Sequence, residues 1–200
     1  MPVPSDEIAA LAAAHARLHR SLDGLTDQQA RGPSRLPDWT VGHLITHIAR
    51  NADSVVRRVS AALDGELVTQ YEHGAPGRAK DIEAGAGRPA HELVADLRAC
   101  DDRLDALLGS APATLWDGEL MAGGKDVVPA PEVVFHRWRE VEIHHVDLGM
   151  SYSPEDWPDE LVARWLPRLA AQLPERADPR ALMAWALGRG NAPDLGGHWS

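Results

Sequence analysis

The sequence predicts an all-α protein: a four-helix bundle followed by a short, mainly helical C-terminal extension. Two observations carry that prediction. Four long stretches repeat apolar residues at intervals of three and four. Helix-starting threonines and helix-breaking Pro and Gly residues mark their ends. Two hundred residues fit one domain, or one domain with a small appendage, and can bury a real core. The expected boundary is a bundle over 1–152 and an extension over 153–200.

Ser5 is the expected cap of a first helix, with Asp6 and Glu7 at the positive end of its dipole. Ile8, Leu11, His15, Leu18, Leu22 and Leu25 form its apolar stripe, and His15 reads there as a hydrogen-bonded core or rim histidine. Thr26 to Gln29 has the T-x-x-Q form of a capping box. Pro33, Ser34 and Pro37 break the chain before Thr40 caps a second long helix, which runs to about Leu63 and stops at Gly65. Val41, Leu44, Ile48, Val55 and Val59 are its core side, with His43, His47 and Asn51 on an adjoining polar strip.

A Gly-rich loop is expected from about Glu66 to Ala90, with a short helix near Ala79 to Ala84. Pro89 opens a third helix with Leu93, Val94, Leu97, Cys100, Leu104, Leu107 and Leu108 expected on its core side. A second long connection, Gly109 to Pro129, holds Trp116 and the Gly123–Gly124 pair. The fourth long helix starts at Pro131 and carries two strips. One is Val134, Trp138, Val141, His145 and Leu148; the other is Arg137, Glu140, His144 and Asp147. After SYSPEDWP, one helix is expected from about Pro158 to Leu173, stopped by Pro174. Another is expected from Asp178–Pro179 to Leu187.

The formal net charge is −10, and of the 20 basic side chains only Lys80 and Lys125 are lysine. An acidic chain without a basic cluster argues against nucleic acid as partner. No apolar run approaches the ~18 residues of a membrane span, and the N-terminus reads as neither signal peptide nor anchor. The single cysteine, Cys100, excludes an internal disulfide and a CxxC site, so the cytoplasm is the expected compartment. Any thiol chemistry is then expected to use a thiol brought in from outside. A monomer or a homodimer fits these features.

On the fourth helix Glu140 and His144 stand four residues apart, on one face. A carboxylate and an imidazole so placed can grip one divalent metal if a third ligand comes from elsewhere, and His47 is the best placed. Two histidines, one carboxylate and an open position suit a catalytic zinc. Asp147 would orient the His144 ring from behind, and Asn51 would reach toward the open position. Taken alone, E-x-x-x-H serves a surface Glu–His hydrogen bond equally well, and His47 can equally be a buried, satisfied histidine.

Three separated stretches, LPDWTVGHLITHIARNADSVV, GRAKDIEAGAGRPAHELVADL and REVEIHHVDL, resemble the mycothiol-dependent maleylpyruvate isomerases. These belong to the DinB-like group of four-helix-bundle metalloproteins. The likeness covers most of residues 5–150, and the element W-A-L-G-R, Trp185–Arg189, also resembles the family. It implies Zn²⁺ on His47, Glu140 and His144, mycothiol as external thiol, and a small anionic substrate isomerised from cis to trans. It implies Arg189 as the catalytic C-terminal arginine, and Arg78 and Arg137 are the further candidates for holding the anion. In the family the bundle precedes a larger mixed α/β domain, whereas here two predicted helices and a tail follow Ser153. Two other functions fit the same residues: a thiol S-transferase acting on an electrophile, and a non-catalytic metal-binding bundle. The last would have His43 or His145 closing the fourth position.

Overall fold

The computed structural model describes residues 2–122 and 126–195, so Gly123, Gly124 and Lys125 lie outside the described residues, as do residues 196–200. By their contacts the residues form two compact units, Met1–Ser153 and Pro154–Ser200. The first unit holds α1 (Ser5–Ser21), α2 (Asp27–Arg31), α3 (Val41–Leu63), α4 (Gly74–Ala86), α5 (Ala90–Ser110) and α6 (Ala130–Asp147). A short antiparallel hairpin, β1 (Glu119–Met121) and β2 (Val127–Pro129), precedes α6, with Leu120 opposite Val128. The second unit holds α7 (Asp159–Arg176) and α8 (Pro179–Ala186). Among the described residues no helix is long and apolar enough to cross a membrane.

The four long helices of the first unit close a ring: α3 lies against α5 and α6, and α1 lies against the same two. Their apolar stripes meet in a core of Leu11, Leu18, Ile45, Ile48, Leu97, Leu104, Val134 and Val141, all essentially without solvent contact. Polarity sorts the two glutamates of EVEIHH. Glu142 faces α1, where Arg17 pairs with it, while Glu140 faces α3.

The helix-start signals act as expected at two places. Thr26 and Gln29 form a full capping box, and Thr40 accepts from the His43 backbone N–H while the His43 ring meets the Thr40 backbone N–H. Gly65, at φ 78°, ends α3 in the left-handed conformation. Elsewhere the chain differs from expectation. Pro4, not Ser5, precedes α1, and no side chain caps it. Two helices extend past the expected limits: α4 covers thirteen residues, Gly74–Ala86, and α7 continues through Pro174 to Arg176. Pro174 removes one backbone donor without stopping the helix. The connection before α6, expected as a loop, holds the hairpin and a 3-10 turn, Ala113–Asp117, that buries Trp116.

Two glycines let α4 lie close to α3. A Cβ on Gly42 would meet the Ala86 carbonyl oxygen at 2.3 Å, and one on Gly85 would meet Thr46 Cγ2 at 2.5 Å. That approach brings Arg78, on α4, to His47.

Candidate metal centre

The loop before α3 prepares one wall. Asp38 takes φ 64°, a left-handed conformation that Asp tolerates better than most residues. The turn sets the Trp39 ring against His43 and His47, with centroids 6.3 and 5.5 Å apart. Arg35 N–H donates to the Asp147 carbonyl at 2.8 Å, which ties this loop to the end of α6. The α3 and α6 strips thereby meet in register.

His47, Glu140 and His144 converge. Nε2 of His47 and Nε2 of His144 lie 3.2 Å apart, and Glu140 Oε2 lies 3.5 Å from the first and 3.2 Å from the second. A tetrahedral ion with ligands at about 2.0–2.1 Å needs donor atoms about 3.3–3.4 Å apart, so the triangle has the size of one face of a zinc coordination shell. Among the described residues these three form the one group of His, Cys, Asp or Glu side chains that could share an ion. Asp147 Oδ2 accepts from His144 Nδ1 at 2.9 Å, which fixes the ring with its Nε2 facing the triangle.

The charges are poised for a cation. Burial, with His144 adding to it, pushes His47 down to about 4, so it is neutral at neutral pH. Burial alone would raise Glu140, but hydrogen bonds from His144 and His47 hold it well below the usual carboxylate range. Burial would likewise lower His144, yet Asp147 and Glu140 raise it above its ordinary value. Without an ion, the proton on His144 supplies the positive charge that the triangle wants.

The profile of the mycothiol maleylpyruvate isomerase N-terminal domain matches residues 11–149, most of the chain. The chain belongs to that family. Its resemblance to solved structures agrees. The crystal structure of a mycothiol-dependent maleylpyruvate isomerase is 26% identical with a TM-score of 0.76, covering 82% of this chain and 67% of the other. A histidine-to-alanine mutant of that enzyme matches equally, with the same 26% identity, TM-score of 0.76, and coverage of 82% and 67%. YfiT from Bacillus subtilis, a four-helix bundle of unusual topology, is 18% identical with a TM-score of 0.57, covering 80% of this chain and 86% of its own. No curated protein matches the sequence. The fold of this mycothiol maleylpyruvate isomerase family member is thus the DinB-like four-helix bundle.

Beyond the triangle, the other expected site residues of the family member fall in different places. Asn51 is buried one turn beyond His47. Arg78 Nη2 stands 3.3 Å from His47 Nδ1, and its Cζ lies 5.7 Å from the Trp39 ring and 6.0 Å from the Tyr71 ring. Arginine can only donate, so this contact needs His47 in the tautomer with Nδ1 bare. Ligation through Nε2 needs the other tautomer and would release Arg78.

The expectation for Arg137 is corrected. Its guanidinium is buried, with Nη2 donating to Asp101 at 2.7 Å and Nη1 to the Ile48 carbonyl at 2.9 Å and Asn51 Oδ1 at 3.0 Å. Its charge is neutralised inside the bundle, so it holds Asn51 rather than a ligand. Arg189 lies in the second unit, exposed, donating to the Leu187 and Gly188 carbonyls. His43 pairs with Thr40 and Glu83, and His145 Nε2 with Ser21 Oγ; neither joins the triangle. His15 pairs with Asp105 at 2.9 Å. The aromatic pair flanking Arg78 escaped the sequence reading, although Trp39 stands directly before the Thr40 cap.

Proposed function

We propose that this chain is a zinc-dependent enzyme that uses mycothiol to convert maleylpyruvate, or a similar cis-unsaturated acid, into its trans isomer. The observation that carries the reading is the triangle of His47 Nε2, Glu140 Oε2 and His144 Nε2, with atoms 3.2–3.5 Å apart, in a member of this family. Zinc held there would make loss of a thiol's proton easier and keep the thiol as thiolate at neutral pH.

The chain's own thiol does not suit that part. Cys100 is buried, and burial, with Asp53 adding to it, pushes it up to about 12. An external thiol is required, and the cytoplasm keeps such a thiol reduced. Its sulfur adds to one carbon of the cis double bond, and the electron pair moves to the oxygen of the conjugated carbonyl. Rotation about the resulting single bond follows. The electron pair then returns, the carbon–sulfur bond breaks, and thiolate and trans product leave.

The side chains supply position and charge. Asp147 fixes the His144 ring, and Arg137 fixes Asn51 with its amide group left to donate. Arg78, which His47 would release if it served as an Nε2 ligand, would take one carboxylate of the substrate. Arg189 is assigned a catalytic part through the W-A-L-G-R element.

The test is to incubate the full chain with zinc, mycothiol and maleylpyruvate and to follow fumarylpyruvate by absorbance and mass. Isomer formed with zinc and lost after chelation supports the reading. A product heavier by the thiol assigns an S-transferase instead. Zinc bound without turnover of either kind reduces the chain to a metal-binding bundle.

A further inference from the structure

The polar strip of α3 does not stop at Asn51. Ser54 and Arg58 continue it, and His47, Asn51, Ser54 and Arg58 are all buried. Positions 47 and 58 are about three helical turns apart on one face. Arg58 is 5% exposed, yet among the described residues it forms no ion pair with any carboxylate. Its Nε donates to the Ser54 carbonyl at 3.2 Å and its Nη1 to the Met121 carbonyl at 2.7 Å. These bonds lean the side chain back along the helix toward the triangle, the direction favoured by helical side chains. They also leave Nη2, which can only donate, without an acceptor among the described residues. The Asn51 amide nitrogen is in the same position, since Arg137 takes only its oxygen.

A buried guanidinium without an acid is unusual, because buried charges are normally paired. Burial, with the charge of Arg57 adding to it and that of Glu140 opposing it, pushes Arg58 down to about 10, so it remains a cation at neutral pH. Glu140 of the triangle and Tyr71, whose ring also lies 6.0 Å from Arg78 Cζ, are both within electrostatic range of Arg58. Three arginines have been met around this strip. Arg137 is neutralised by Asp101 at 2.7 Å, whereas neither Arg58 nor Arg78 has an acid partner among the described residues.

We propose that Arg58 is a specificity-determining residue of the triangle: its Nη2, with the Asn51 amide, receives one carboxylate of a short dicarboxylic acid, and Arg78 receives the other. This rests on the reading above that the site takes an unsaturated diacid. Two arginines set apart along the site select a dianion over a monoanion, because each carboxylate finds its own charge-assisted partner.

The experiment measures binding rather than turnover. The zinc-loaded full chain is titrated calorimetrically with maleate and with monomethyl maleate, as wild type, Arg58→Met and Arg58→Lys, with zinc content and circular dichroism recorded for each. Wild type is expected to prefer maleate. Arg58→Met is expected to keep its zinc, to bind maleate about 10- to 100-fold more weakly, and to lose the preference over the monoester. Arg58→Lys, which keeps the charge but not the fork, falls between them and carries the test should Arg58→Met not fold. Wild-type affinity for maleate in either folded variant overturns the role of Arg58 and leaves the proposed function standing. Failure of the zinc-loaded wild type to bind maleate overturns the diacid class, and this inference with it.

Discussion

Two buried clusters of histidine and carboxylate lie within the same bundle, and they are completed in opposite ways. Where α1, α5 and α6 meet, Asp101 accepts from Arg137 at 2.7 Å and pairs with His19 Nε2 at 2.8 Å, while His15 pairs with Asp105. Burial would raise Asp101, but Arg137 first, then His19, hold it below the usual carboxylate range. Where α3 and α6 meet, Glu140 faces two imidazole nitrogens and no arginine pairs with it among the described residues. The first cluster contains its own cation and is a piece of structure. The second brings three ligand atoms to a shared point with no arginine among them, and could hold a cation from outside. Residue type does not separate them; the presence of a built-in counter-charge does.

The comparison can be broken most forcefully at the closed cluster. Arg137→Met should cost about 3–5 kcal/mol in denaturant unfolding, because it leaves Asp101 charged and buried without its partner. A loss below about 1 kcal/mol would mean that the network is not holding the bundle together.

The open cluster should respond in metal content. His144→Ala is expected to lose most bound zinc, since two protein ligands rarely retain it, while His15→Ala keeps the wild-type stoichiometry. Full zinc in the first variant, measured by elemental analysis after dialysis, would sink the ligand assignment. A milder effect is expected from Asp147→Asn, which weakens the anchor behind His144: zinc affinity should fall about 10- to 100-fold with the fold intact, as read by chelator competition.

Acidity gives the finest distinction. The metal-free triangle holds its proton on His144, whose value is raised, while His47 stays neutral until about pH 4. Zinc affinity should therefore fall as pH drops through the raised His144 value, above 6.5, by up to about tenfold per pH unit, rather than near 4. The metal-free fold runs the other way. A raised folded value contributes stability that is full below the unfolded value and is lost as pH rises through the folded one. Zinc binding that is flat from about pH 6 to about pH 8 would contradict a protonated His144.

Much of this was legible in the residues because it is local. The T-x-x-Q box at Thr26, the Thr40 cap and the stop at Gly65 follow from bonds within one turn. The one-turn spacing of Glu140 and His144 follows from helical pitch. Arg137 misled for a matching reason. It shares a strip with Glu140, but its partner Asp101 sits on α5, and nothing in the α6 sequence announces that acid. Arg58 lies on the strip of His47 and Asn51 and could have been found by extending it; its want of an acid partner could not.

The sequence by itself determined the four amphipathic helices, their punctuation and the residues able to bind a metal, since periodicity and capping are short-range. Only the tertiary structure decided which helices are neighbours, and so which histidines meet a carboxylate, which arginines are neutralised, and which remain to meet a ligand. Charge pairing inside a bundle joins residues far apart in the chain, as Arg137 to Asp101 on α5 and Glu140 to His47 on α3, over distances that the pattern on one helix does not encode.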